Sequence, residues 1–101
     1  MTKIAWKAYV TDIDEYMRRH DAIWPEMTQM LNDAGIHNYT IWNSGNELFA
    51  YMECSIDPDE SMRIQRESAV GKRWEEHMRG LLVFDRETDE PILLKQVFYH
   101  P

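Results

Sequence analysis

The chain has 101 residues, a single cysteine, and 18 acidic against 11 basic side chains, a net charge of −7. That length suits one domain, 1–101, and leaves no room for separate cofactor and substrate lobes. At 44% hydrophobic and 12% aromatic residues the chain is too apolar for disorder, and it lacks the basic stripe that a nucleic-acid binder needs.

The first predicted element is a strand over residues 3–10. Ile4, Trp6, Ala8 and Val10 alternate with Lys3, Ala5, Lys7 and Tyr9, a period of two. Lys7 also interrupts the apolar stretch before a signal-peptide core could form. Thr11 or Asp12 then caps a helix, with Asp14 or Glu15 completing the box.

Residues 13–34 carry the clearest helical period. Ile13, Tyr16, Met17, His20, Trp24, Met27, Leu31 and Ala34 recur at steps of three or four and form one stripe. Pro25 sits within it and predicts a kink near Asp21–Trp24, because proline removes a helical donor. Gly35 supplies the stop.

Two strands are expected at 36–42 and 47–54, joined by the turn Asn43-Ser44-Gly45-Asn46. On the first, strict alternation puts His37, Tyr39 and Ile41 on one face and Ile36, Asn38, Thr40 and Trp42 on the other. Asp57-Pro58-Asp59 opens a second helical region. Its later part, near 68–82, places Val70, Trp74, Met78 and Leu81–Leu82 on one side. Ile92, Leu94 and Val97 belong to a final strand.

The order β-α-β-β-α-β predicts an α+β, ferredoxin-like fold, an antiparallel sheet with two helices on one face. The opposite sheet face would expose Trp and Tyr as an apolar patch, and a second copy of the chain is the simplest cover. A homodimer is therefore expected. No apolar run approaches the ~20 residues needed to span a bilayer. With Cys54 unpaired, a cytoplasmic protein without membrane or nucleic-acid partners is expected.

His20 is the most informative position for chemistry. One turn after Tyr16 and one turn before Trp24, it can share a cavity with Tyr16. Two readings fit: a histidine satisfied at the edge of the core, or a general acid/base titrating near neutral pH. Tyr39 and Trp74 are each readable as packing or as flat walls that stack on a sugar ring. His77, next to Glu76, reads as a solvated helix face. His20, His37, His77 and His100 have no metal-ligand spacing, and the four glycines form no phosphate loop, so neither metal nor cofactor is expected. Cys54 has no partner for nucleophilic catalysis and reads as a buried strand residue.

Tyr16-Met17-Arg18-Arg19-His20-Asp21-Ala22-Ile23-Trp24-Pro25-Glu26-Met27 resembles the helix that marks the L-rhamnose mutarotase family. His37-Asn38-Tyr39, Arg73-Trp74 with Met78, and Val97-Phe98-Tyr99-His100-Pro101 resemble its later segments, in order and over nearly the whole chain. The resemblance implies a dimeric α/β barrel that interconverts the α and β anomers of L-rhamnose without a cofactor. It implies that His20 is the proton donor and that Tyr16, Tyr39 and Trp74 contact the sugar. The sequence departs from the family at Glu75, where a second tryptophan is usual. It departs again in the loop 85–91 and in a shorter hairpin near 43–46. Two alternatives stay open: a mutarotase for another sugar such as L-fucose, and a non-catalytic sugar-binding or regulatory dimer on the same fold, which also hosts cofactor-free oxygenases.

Overall fold

The computed structural model describes residues 1–85 and 87–101. Arg86, part of the divergent 85–91 loop, lies outside the described residues. The elements are β1 (Thr2–Val10), α1 (Ile13–Asp21), α2 (Pro25–Asp33), β2 (Ile36–Ser44) and β3 (Glu47–Cys54). There follow α3 (Pro58–Glu67), α4 (Ala69–His77), β4 (Leu82–Val83) and β5 (Ile92–Leu93). The sheet runs β2-β3-β1-β4 with every pair antiparallel, and β5 pairs β1. This is the ferredoxin-like βαββαβ arrangement, with each helical segment divided in two and the last strand in two pieces.

Each division has a local cause. Pro25 breaks the predicted long helix outright rather than kinking it. Trp24 takes an extended conformation (φ −70°, ψ 139°), as a residue before proline prefers, and Pro25 starts α2 where its missing N–H costs nothing. Ser68 both ends α3 and caps α4, its hydroxyl accepting from Gly71 N–H at 3.0 Å. Asp12 caps α1 by accepting from Glu15 N–H at 3.1 Å. The reciprocal half of the box is not made, because the Glu15 carboxylate is taken by Arg18 and Arg19.

Three further expectations are corrected. Helix α4 stops at His77, and Leu82 begins an unforeseen strand, β4, which pairs with Tyr9 and Val10. The predicted final strand shrinks to Ile92–Leu93 opposite Lys7 and Trp6. One short edge is shared by two segments, so neither can run long. The third correction lies in β2. The register passes from His37↔Glu53 to Thr40↔Tyr51, so β2 holds one extra residue, and Asn38 adopts a positive φ of 48° there. The bulge reverses the alternation. Ile36 lies on the same side as Tyr39 and Ile41, and His37 is turned away from Tyr39.

The helices cover one sheet face. Val10, Tyr16, Leu48, Trp74, Met78 and Leu81 form one buried cluster, and Met30, Ala34, Ile36, Met52 and Cys54 a second, with Met27 packing against both. Cys54 is buried, as its strand position implies. The other face carries Lys3, Ala5, Lys7 and Tyr9 of β1 opposite Glu53, Tyr51, Phe49 and Glu47 of β3. Trp42 on that face is 68% exposed, and in the C-terminal segment Val97 and Phe98 are 89% and 80% exposed. Among the described residues, no helix is long and apolar enough to cross a membrane.

Candidate active site

Tyr16 and His20 stand one turn apart on α1, and their rings stack with centroids 4.2 Å apart and planes at 29°. The helix itself sets this contact, because residues four apart are neighbours on its surface. Trp74, on α4, meets His20 edge-on, with centroids 5.5 Å apart and planes at 87°. Trp24 meets Trp74 edge-on at 5.1 Å. That approach follows from the break before Pro25, which frees Trp24 from the helical line of Tyr16 and His20.

His20 Nδ1 lies 3.2 Å from the backbone carbonyl of Tyr16. A carbonyl only accepts, so Nδ1 carries the proton and donates, and Nε2 of the neutral ring keeps its lone pair. Burial lowers the His20 pKa below its usual 6.5, opposed by the Tyr16 carbonyl and by Asp21. The imidazole is thus held neutral at pH 7.

Tyr16 is 4% exposed, and burial pushes its phenol up to about 12. Tyr39 is pushed further upward, first by burial and then by the Tyr16 phenol near it. Both hydroxyls therefore stay protonated and can donate as well as accept hydrogen bonds. Among the described residues, neither phenol is engaged by a protein hydrogen bond, yet neither oxygen is a sealed, unsatisfied group. Uncharged hydroxyl donors and acceptors beside a neutral imidazole suit a neutral polyhydroxy ligand.

All four predicted residues lie on the helix-covered side of the sheet. His20 contacts Tyr16 and Trp74 directly, whereas Tyr39 packs against the second buried cluster, that of Met30, Ile36 and Met52. Sequence reasoning missed two members. In the sequence Trp24 reads only as part of the apolar stripe. His77, read as solvated, is exposed yet rests its ring against Trp24 at 5.2 Å and Trp74 at 5.4 Å. Its three-residue spacing from Trp74 was the available signal. Glu75 is exposed.

Two open hollows lie elsewhere. One of about 720 Å³ runs between α2 and the α3–α4 junction, and one of about 680 Å³ lies beside Tyr9, Asn46 and Phe84. Neither is lined by His20, Tyr16, Tyr39 or Trp74.

Residues 3–100 match the family model described as L-rhamnose mutarotase. The chain is 37% identical to an L-rhamnose mutarotase of Enterobacter sp. (strain 638), over 92% of this chain and 95% of that one. It is 38% identical to that of Bacillus subtilis (strain 168), over 85% and 84%. Among solved structures, the L-rhamnose mutarotase of Formosa agariphila superposes with a TM-score of 0.82 at 28% identity over the whole of both chains. Tetracenomycin F2 cyclase of Streptomyces glaucescens, at 12% identity and a TM-score of 0.67, shares the fold alone.

Proposed function

Since the chain belongs to the L-rhamnose mutarotase family, we propose that 1–101 acts as one mutarotase domain, interconverting the α and β pyranose anomers of L-rhamnose with His20 as the proton-transfer group. The observation that carries this reading is the 3.2 Å contact between His20 Nδ1 and the Tyr16 carbonyl, from which the tautomer follows. With Nδ1–H donated to the Tyr16 carbonyl, Nε2 is left as a basic atom beside Tyr16 and Trp74.

Mutarotation opens a hemiacetal and closes it on the other face. In the opening step Nε2 takes the proton from the anomeric hydroxyl, the C1–ring oxygen bond breaks, and C1 becomes an aldehyde carbon. The ring oxygen collects a proton from water or from a neighbouring hydroxyl. Rotation about C1–C2 presents the other face of the aldehyde. The ring oxygen then attacks C1 as it loses its proton, and the imidazolium returns its proton to O1. No electrons are exchanged with an outside group. A positioned acid/base is worth roughly 10²–10⁴-fold, which matches the modest demand of this reaction.

Tyr16 and Tyr39 bind sugar hydroxyls in this reading, and Trp74 lies against the apolar face of the ring. A second copy of the chain covers the open sheet face and the exposed Trp42, Val97 and Phe98, making the dimeric barrel. The protein works in the cytoplasm, a reading supported by its single, buried cysteine. Anomer exchange measured by saturation-transfer NMR on L-rhamnose and L-fucose side by side tests the proposal. Acceleration on L-rhamnose that is lost in His20→Ala is the expected result. A folded His20→Ala variant exchanging at the wild-type rate overturns the role of His20, and sugar binding without acceleration favours a non-catalytic sugar-binding dimer. Glu75 favours one second reading, a different aldose, because a carboxylate accepts hydroxyl hydrogen bonds that an indole cannot. Faster exchange on L-fucose would select it.

A further inference from the structure

His77 stands outside the four residues assigned to the sugar, yet three elements meet at it. Its ring lies 5.2 Å from Trp24, in the α1–α2 link, with planes at 42°. It lies 5.4 Å from Trp74, one turn earlier on α4, with planes at 45°. Trp24 and Trp74 are themselves edge-to-face at 5.1 Å, so the three rings close a triangle. The His77 backbone carbonyl accepts a hydrogen bond from the Arg19 guanidinium, and Arg19 is the neighbour of His20 and is paired with Glu15 at 2.8 Å. That bond ties the C-terminal turn of α1 to the end of α4.

We propose that His77 is a positioning residue for the sugar site: its imidazole braces the Trp24–Trp74 pair and so fixes the indole that faces His20. The inference rests on the mutarotase reading. Trp74 is packed into the first buried cluster, but its indole still turns about two side-chain bonds, and it meets His20 edge to face. The His77 ring, 5.4 Å from the indole and tilted at 45° to it, restricts the alternative orientations. The backbone link through Arg19 survives any side-chain change at 77, so substitution separates the brace from the tie.

The test compares wild type, His77→Ala and His77→Phe by anomer exchange on L-rhamnose, with KM and kcat resolved and with near-UV circular dichroism of the tryptophans. His77→Ala is expected to raise KM at least three-fold with kcat within two-fold, and to weaken the near-UV tryptophan bands. His77→Phe, which keeps a flat ring without ring nitrogens, is expected to bring both KM and the bands back to within two-fold of wild type. An unchanged KM in His77→Ala overturns the proposal. So does a His77→Phe variant whose kcat falls as far as that of His20→Ala, because His77 would then move a proton rather than hold a ring. If His77→Ala fails to fold, His77→Phe and His77→Leu decide the matter: equal KM values in the two overturn the need for a flat ring. Absence of exchange in wild type on every aldose tried is a failure of the mutarotase reading, not of the brace, which the tryptophan bands still report.

Discussion

Tyr16 and His20 lie ring on ring, their centroids 4.2 Å apart, and the same Tyr16 supplies the carbonyl that receives the His20 Nδ1 proton. One residue therefore shields the imidazole and fixes its tautomer.

Replacing His20 removes the proposed proton carrier. We expect His20→Ala to lose roughly 10²–10⁴-fold in catalysed anomer exchange, the usual worth of a positioned acid/base. Circular dichroism should show the fold retained, because His20 is only partly buried.

The pH dependence follows from the lowered pKa of His20. The neutral ring is the active base, so exchange should rise as pH increases through a value below 6.5 and level off above it. Stability has the same sign. The unfolded chain takes up this proton near the usual histidine value, and the folded chain only at lower pH. The His20 contribution is thus complete above about pH 6.5 and is lost as pH falls through the folded value. A rate profile whose acid limb lies above pH 6.5 would contradict this.

Tyr16→Phe and Tyr39→Phe separate binding from folding. Neither hydroxyl is engaged within the described protein, so chemical denaturation should shift by less than about 1 kcal/mol. Binding of L-rhamnose should weaken by about 3–10-fold for each, the worth of one hydrogen bond. Trp74→Ala should behave differently. The side chain is 9% exposed within the larger aromatic cluster, and its removal should cost about 3–5 kcal/mol of stability.

Gly35→Ala tests how the β2 strand is launched. Gly35 has a φ of +74°, and an added Cβ would meet Ile56 and Ser55 at 3.0 Å. The left-handed backbone alone costs roughly 1–2 kcal/mol for a residue with a Cβ, and the contacts add to it. Urea unfolding should show a loss at least that large.

The open sheet face predicts the assembly. Trp42→Asp and Phe98→Asp place charges where a second copy would lie, on residues 68% and 80% exposed in the single chain. Sedimentation equilibrium should show a dimer for wild type and a shift toward monomer for each variant.

Much of this was legible in the residues. Alternation in 3–10 located the face of β1, Asp12 and Asp57 marked the starts of α1 and α3, and the order of elements led to the ferredoxin-like sheet. Tyr16 and His20 announced themselves by helical spacing. These are short-range features, set by backbone sterics, capping and the need to bury one side of each element. The same residues carry the family pattern. What the linear order left undetermined depends on pairing partners. The extra residue at Asn38 exists only relative to β3, and it decides that Tyr39, not His37, sits beneath the helices. The split final edge depends on how much of β1 each of two segments can occupy. The placing of His77 against Trp24 joins residues 53 positions apart in sequence. Only the packing of α4 against the α1–α2 link brings them together, because side-chain contact is decided by which surfaces exclude water jointly and not by the periodicity of either one.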